Sequence, residues 1–235
     1  SQMWIRDGGA RMDVVIGSKK FTESVVLGEI ARGLILTTDP SVEHKEELGG
    51  TRILYSALRR GQIDLYPEYT GTILREILAS EGFSDIEAAR AHLSERGISI
   101  SPSLGFNNGY AIAVNPRVAE RLGLRTISDL ADHPELKLGF NNEFMDRGDG
   151  WPALRRAYNL PHTDVRGMDH DLAYRALDAR QLDAMDAHAT DAAIKKLAIV
   201  PLADHRDHFP TYHSVVLDQQ APRHHAHQHW PPPPP

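Results

Sequence analysis

Short apolar runs alternate along this chain with segments whose apolar residues recur every three or four positions, and that alternation constrains the fold more than any other feature. Residues 13–17 (DVVIG) read as a buried strand. After it Thr22 can cap a helix in which Val26, Leu27, Ile30, Leu34 and Ile35 fall at helical spacing. The unit repeats: residues 42–48 are strand-like, and Thr51 opens a short helix with Ile53, Leu54, Ala57 and Leu58 apolar, stopped by Gly61. Ile63-Asp64-Leu65 then leads into Tyr66-Pro67-Glu68-Tyr69-Thr70-Gly71-Thr72 and a helix running to about Ala79. Ser84 and Glu87 form a capping box for an amphipathic run that ends before Gly97.

The second half supplies another set. ISISP and YAIAV flank the polar turn at residues 104–109, which reads as a crossing between lobes. Pro116 takes a first helical position, LKLGF reads as a strand and residues 151–158 as a helix. Asp169 is expected to cap the run 172–179, and QLDAMDA and AIVPL read as strands. Two α/β lobes of about 100 residues each follow: residues 13–106, residues 107–210, a second crossing and partial return to the first lobe at 211–220, and a histidine- and proline-rich tail, 221–235, expected to be flexible. No repeat of fixed short period is visible, which disfavours a solenoid.

Composition narrows the function. The 235 residues are 41% hydrophobic and carry a net charge of −6 from interspersed charges, so neither nucleic acid nor an anionic membrane surface is an expected partner. The absence of cysteine excludes disulfides, iron–sulfur clusters, thiolate zinc sites and cysteine nucleophiles, and fits either a reducing or an exported setting. No stretch approaches the ~18 apolar residues of a membrane span, and the opening SQMWIR lacks the apolar core of a signal peptide. His224, His225, His227 and His229 would hold a divalent ion only loosely, and no metal or cofactor is expected. His188, Thr190 and Asp191 invite a base-and-orienter reading, but no nucleophile motif, H-E-x-x-H or phosphate loop accompanies them, so no catalytic residue is assigned. Asp191 reads instead as the cap of a helix at 192–197.

The segment Tyr66–Thr72 stands where strand becomes helix, the carboxyl edge at which α/β sheets bind small ligands. With Gly17-Ser18-Lys19-Lys20-Phe21-Thr22-Glu23, the Leu48-Gly49-Gly50-Thr51 turn, residues 105–114, Glu143-Phe144-Met145-Asp146-Arg147-Gly148-Asp149-Gly150, Thr190-Asp191 and Phe209-Pro210-Thr211-Tyr212, it resembles the substrate-binding proteins of ABC importers for glycine betaine, choline and carnitine. The match runs from about residue 13 to 217.

The resemblance implies a two-lobed type II periplasmic-binding fold, a ligand held in the cleft that closes between the lobes, and an extracytoplasmic protein that delivers its solute to a membrane permease. By matching positions, Tyr69, Tyr110 and Tyr212 would form an aromatic box for a quaternary ammonium. Lys19 and Arg147 would hold a carboxylate when the ligand has one, with Thr72 as a hydroxyl donor. Taken by itself, Arg147 between Asp146 and Asp149 reads as a local salt bridge. Two positions depart from the pattern: His188 stands where a further aromatic is common, and Asn108 where some members carry an acid. The family's return to the first lobe also reads as truncated, which would expose apolar surface on that lobe and favour a dimer. The rival readings are a small-molecule enzyme on a two-lobed scaffold and a sensory binding domain that takes no part in transport.

Overall fold

In the computed structural model the described residues are 5–6, 10–11, 14–38 and 41–220. The tail with its four histidines lies outside them. By its internal contacts the chain divides into two units, 1–106 with 213–235, and 107–212.

Unit 1 begins with a short antiparallel pair, β1 (Ile5–Arg6) and β2 (Ala10–Arg11). There follow β3 (Val14–Lys19), α1 (Thr22–Leu36), β4 (Val42–Gly49), α2 (Thr51–Arg59), β5 (Leu65–Tyr69), α3 (Thr70–Thr72), α4 (Ile86–Glu95) and β6 (Ile98–Ile100). Unit 2 holds β7 (Tyr110–Val114), α5 (Pro116–Leu122), β8 (Leu138–Asn141), α6 (Asn142–Asp146), α7 (Trp151–Tyr158), β9 (Val165–Met168), α8 (His170–Asp178), β10 (Ala184–His188), α9 (Ala192–Lys196) and β11 (Val200–Pro201). The chain then re-enters unit 1 as β12 (Ser214–Gln219).

Each unit is built on a five-stranded mixed sheet, in the order β4-β3-β5-β12-β6 in unit 1 and β11-β7-β10-β8-β9 in unit 2. In unit 1, β3 runs parallel to β4 and β5, while β12 inserts antiparallel between β5 and β6, pairing Ser214 with Tyr69 and Leu217 with Ile100. In unit 2, β10 lies parallel to β8 and antiparallel to β7. Period-two alternation covers both faces of this sheet. Ile112, Val114 and Ala184 join a core with Leu138, Phe140, Leu154 and Tyr158, whereas Ala113, Met185 and Ala187 join Ala173, Leu177 and Leu182. In unit 1, Tyr66 is wholly buried with Leu54, Leu58, Ile73, Leu93 and Leu217. Each fully buried aliphatic side chain of this kind contributes about 1.5–3 kcal/mol.

Four local expectations are corrected. Helix α1 does not bury the stripe its periodicity suggested, because Val26, Ile30 and Leu34 are about half exposed. Its packing face is Ser24, Gly28 and Ala31. A Cβ on Gly28 would lie 2.4 Å from the His44 ring, so close approach to β4 selects the small residues over the large ones. Helix α4 starts one position later than the capping box implied, with Asp85 accepting from the Glu87 amide. The expected single helix after Tyr69 breaks up: the Leu78 amide bonds to the Ile73 carbonyl across five residues, giving a π turn at Ile73–Ile77. Asp169 and Asp191 hold the capping positions of α8 and α9, but neither side chain makes the capping hydrogen bond.

Candidate functional site

The candidate residues of unit 1 converge because β3 and β5 are parallel neighbours, so Lys19 and Tyr69, their last residues, share the carboxyl edge of the sheet. Lys19 is 2% exposed. Its Nζ lies 2.6 Å from Glu68 Oε1 and 2.9 Å from Thr51 Oγ1, and 5.6 Å from the Tyr69 ring centroid. The Tyr69 amide donates to the same Glu68 oxygen at 3.0 Å, and the Tyr69 hydroxyl donates to Glu23 Oε1 at 2.5 Å. Phe21 stands 6.3 Å from Tyr69, ring to ring, and Thr72 is buried in α3. The amine read as a carboxylate holder thus meets a carboxylate of its own. Burying such a pair costs so much desolvation that only close geometry and further hydrogen bonds sustain it.

In unit 2 the ring cluster follows from strand register. Antiparallel pairing sets His188 opposite Tyr110, with ring centroids 4.7 Å apart. Around Tyr110 stand Phe144 at 5.1 Å, Tyr212 at 5.3 Å and edge-on, and Phe209 at 5.8 Å. The Arg147 guanidinium lies 5.6 Å from the centre of the Tyr110 ring. It is 4% exposed and forked onto Asp149, Nε to Oδ1 at 2.7 Å and Nη2 to Oδ2 at 2.6 Å, with Glu143 at 3.8 Å. The Tyr212 hydroxyl donates to Asp149 Oδ2 at 3.0 Å. A Cβ on Gly150 would lie 2.0 Å from the Phe144 carbonyl oxygen, so this loop admits only glycine there. Asn108 is buried, and its Oδ1 accepts from the Thr190 hydroxyl at 2.7 Å.

Behind His188 lies a second polar group. Asp191, read from sequence as a helix cap, instead turns its carboxylate inward: Oδ2 lies 2.9 Å from His170 Nε2 and accepts from the Tyr174 hydroxyl at 2.6 Å and from the His188 amide at 2.8 Å. Buried donors outcompete the exposed end of a five-residue helix. The electrostatics divide accordingly. Burial, reinforced by the charge of His170, pushes His188 down to about 3, so its ring is neutral at physiological pH. Burial works against ionised Asp191, but the His170 bond, the charge of His170 and the Tyr174 hydroxyl outweigh it and hold that carboxyl at about 2. Asp186, 0% exposed, is pushed up to about 6 by burial. Burial would lower His170, yet Asp191 and Asp186 raise it overall.

The sequence-predicted residues thus fall into two sets, Lys19, Tyr69 and Thr72 in unit 1, and Asn108, Tyr110, Arg147, His188 and Tyr212 in unit 2. Sequence reasoning missed Glu23 and Glu68 as partners of the candidate residues and Phe144 and Phe209 as members of the ring cluster. Glu68 sits inside Tyr66–Thr72, and a carboxylate amid a continuously buried strand was the available signal. Among the described residues no helix is long and apolar enough to cross a membrane.

Two α/β units of this order give the fold found in periplasmic-type solute-binding proteins. A crystal structure described as a glycine betaine/carnitine/choline ABC transporter superposes with a TM-score of 0.64 at 28% identity, over 88% of this chain and 80% of that one. The sequence profile of the OpuAC family, the substrate-binding domain of ABC-type glycine betaine transport systems, matches residues 12–222, and the chain belongs to that family. It is 30% identical over 224 residues to the Helicobacter pylori ergothioneine transport permease/ergothioneine binding protein, covering 92% of this chain and 40% of that protein's length. It is 32% identical over 221 residues to the Listeria monocytogenes carnitine transport binding protein, covering 89% of this chain and 71% of that one.

Proposed function

We propose that this chain is the extracytoplasmic receptor of an ABC importer, that it captures a small quaternary-ammonium or related zwitterionic osmolyte on aromatic side chains, and that it passes the solute to a membrane permease without chemical change. The observation that carries the reading is the ring cluster of Tyr110, His188, Phe144, Phe209 and Tyr212. A trimethylammonium has no N–H to donate, so only dispersion and cation–π attraction hold it. Each desolvated ring face contributes about 0.5–2 kcal/mol. Three or four faces, with polar contacts elsewhere on the ligand, approach the ~8 kcal/mol of micromolar binding. A neutral His188 suits this role, since an imidazolium would repel the ligand. Tyr69 and Thr72 are assigned to ligand contact on the strength of their place at the sheet edge of unit 1, where Glu68 holds Lys19 beside them, and Asn108 through its polar amide. The names of the two relatives support the ligand class.

Isothermal titration with glycine betaine, choline, carnitine and ergothioneine tests the assignment. We expect saturable binding of at least one, weakened in Tyr110→Ala. No binding of any of the four defeats it. For assembly, a second copy is proposed to cover the exposed Val26, Ile30 and Leu34 of α1. Light scattering should then give a dimer that Ile30→Glu converts to monomer, and a monomer in the unaltered chain removes the proposal.

A further inference from the structure

Resting on that reading, we infer that the chain selects quaternary-ammonium ligands whose other end is uncharged, an alcohol such as choline, over those that end in a carboxylate. The two basic groups that the resemblance assigns to a ligand carboxylate are each already matched within their own unit. Arg147 offers a planar fork of donors, and its side-on pair, Nε and Nη2, is taken by both oxygens of Asp149 at 2.7 and 2.6 Å. Glu143 adds a second carboxylate 3.8 Å from Nη1. Asp149 is itself fixed by the Tyr212 hydroxyl, a member of the ring cluster, so it cannot swing aside without disturbing the rings. Lys19 repeats the arrangement with Glu68 at 2.6 Å, at side-chain exposures of 3% and 0%. Lys20, the adjacent cation, is exposed.

The charges around Tyr110 therefore sum against an incoming anion: one guanidinium faces two carboxylates, and His188 adds no positive charge. A ligand carboxylate must displace an internal one or remain near like charge, in surroundings where unpaired burial of a charge is costly. A quaternary cation meets the opposite balance, with aromatic faces and excess negative charge nearby. A neutral hydroxyl at the far end needs only ordinary hydrogen-bond partners.

The test is calorimetric titration of the unaltered chain and of Asp149→Asn with choline, glycine betaine and carnitine at one ionic strength, with circular dichroism as the check on folding. Choline should bind at least tenfold more tightly than either carboxylate. In Asp149→Asn, where Arg147 loses its internal acid, that preference should fall below threefold. If Asp149→Asn does not fold, Glu143→Gln gives the same readout, and the preference should narrow about twofold or more. Equal or tighter binding of glycine betaine or carnitine by the unaltered chain, or an unchanged preference in the folded variant, overturns the inference and leaves the aromatic receptor standing. Absence of binding to all three defeats the ligand class itself.

Discussion

Glu68→Gln is the substitution whose consequence follows most directly from the geometry. It is nearly isosteric and retains an acceptor for the Tyr69 amide, but it removes the negative charge 2.6 Å from Lys19 Nζ. Because the two side chains are 0% and 3% exposed, water cannot replace the lost partner. An ammonium left buried beside a neutral amide costs about 3–5 kcal/mol, whereas removing both charges together is close to neutral. At about 2–4 °C per kcal/mol for a chain of this size, the melting temperature should fall by roughly 6–20 °C. The double variant Lys19→Met/Glu68→Gln should recover most of that loss. Guanidinium unfolding followed by far-ultraviolet circular dichroism, with the thermal melt beside it, reads both quantities. A Glu68→Gln chain within about 1 kcal/mol of the parent, or a double variant no better than the single one, would refute the claim that Lys19 is committed to an internal pair.

Three further outcomes are expected. Tyr110→Ala removes the ring that touches His188, Phe144, Phe209 and Tyr212, and should weaken a quaternary-amine ligand by about 1 kcal/mol or more while glycerol or another neutral solute shows no comparable change, read by calorimetry. Asp191 is held at about 2, below the ordinary 3.8, so its contribution of about 2 kcal/mol is present above pH ~4 and lost as pH falls through 2. The stability gap between the parent chain and Asp191→Asn should therefore shrink from pH 5 to pH 2 in urea unfolding, and a pH-independent gap would contradict the linkage. Gly150→Ala places a Cβ 2.0 Å from the Phe144 carbonyl oxygen. The backbone must shift, and a loss of more than about 2 kcal/mol is expected in the same assay.

The β-then-α alternation was legible because strand and helix periods differ, and the parallel β3 and β5 followed from it closely enough to bring Lys19 and Tyr69 to one edge. What stayed hidden depends on partners distant in sequence. Lys19 meets Glu68 across 49 residues, and Asp191 meets His170 and Tyr174 across 21 and 17, so no local pattern announces either contact. Arg147 and Asp149, two positions apart, were readable as a pair, but its burial was not: the sequence suggests a solvated bridge, and the structure encloses it at 4% exposure. Helix α1 misled for a different reason. Its large residues carry the helical period, but the tight approach to His44 belongs to Gly28, and contact distance decided which face packs. His188 stands where the sequence pattern suggests a further aromatic, and only its burial beside His170, invisible in the sequence, keeps the imidazole neutral.

The claim that a quaternary ammonium rests against the Tyr110 cluster is tested most directly by proton nuclear magnetic resonance of the N-methyl groups of choline during titration with the chain. Aromatic faces shield protons lying over them, so the account predicts an upfield shift on binding that saturates with the calorimetric isotherm and disappears in Tyr110→Ala. Saturable binding with an unmoved N-methyl resonance, or a shift that survives intact in Tyr110→Ala, would contradict it.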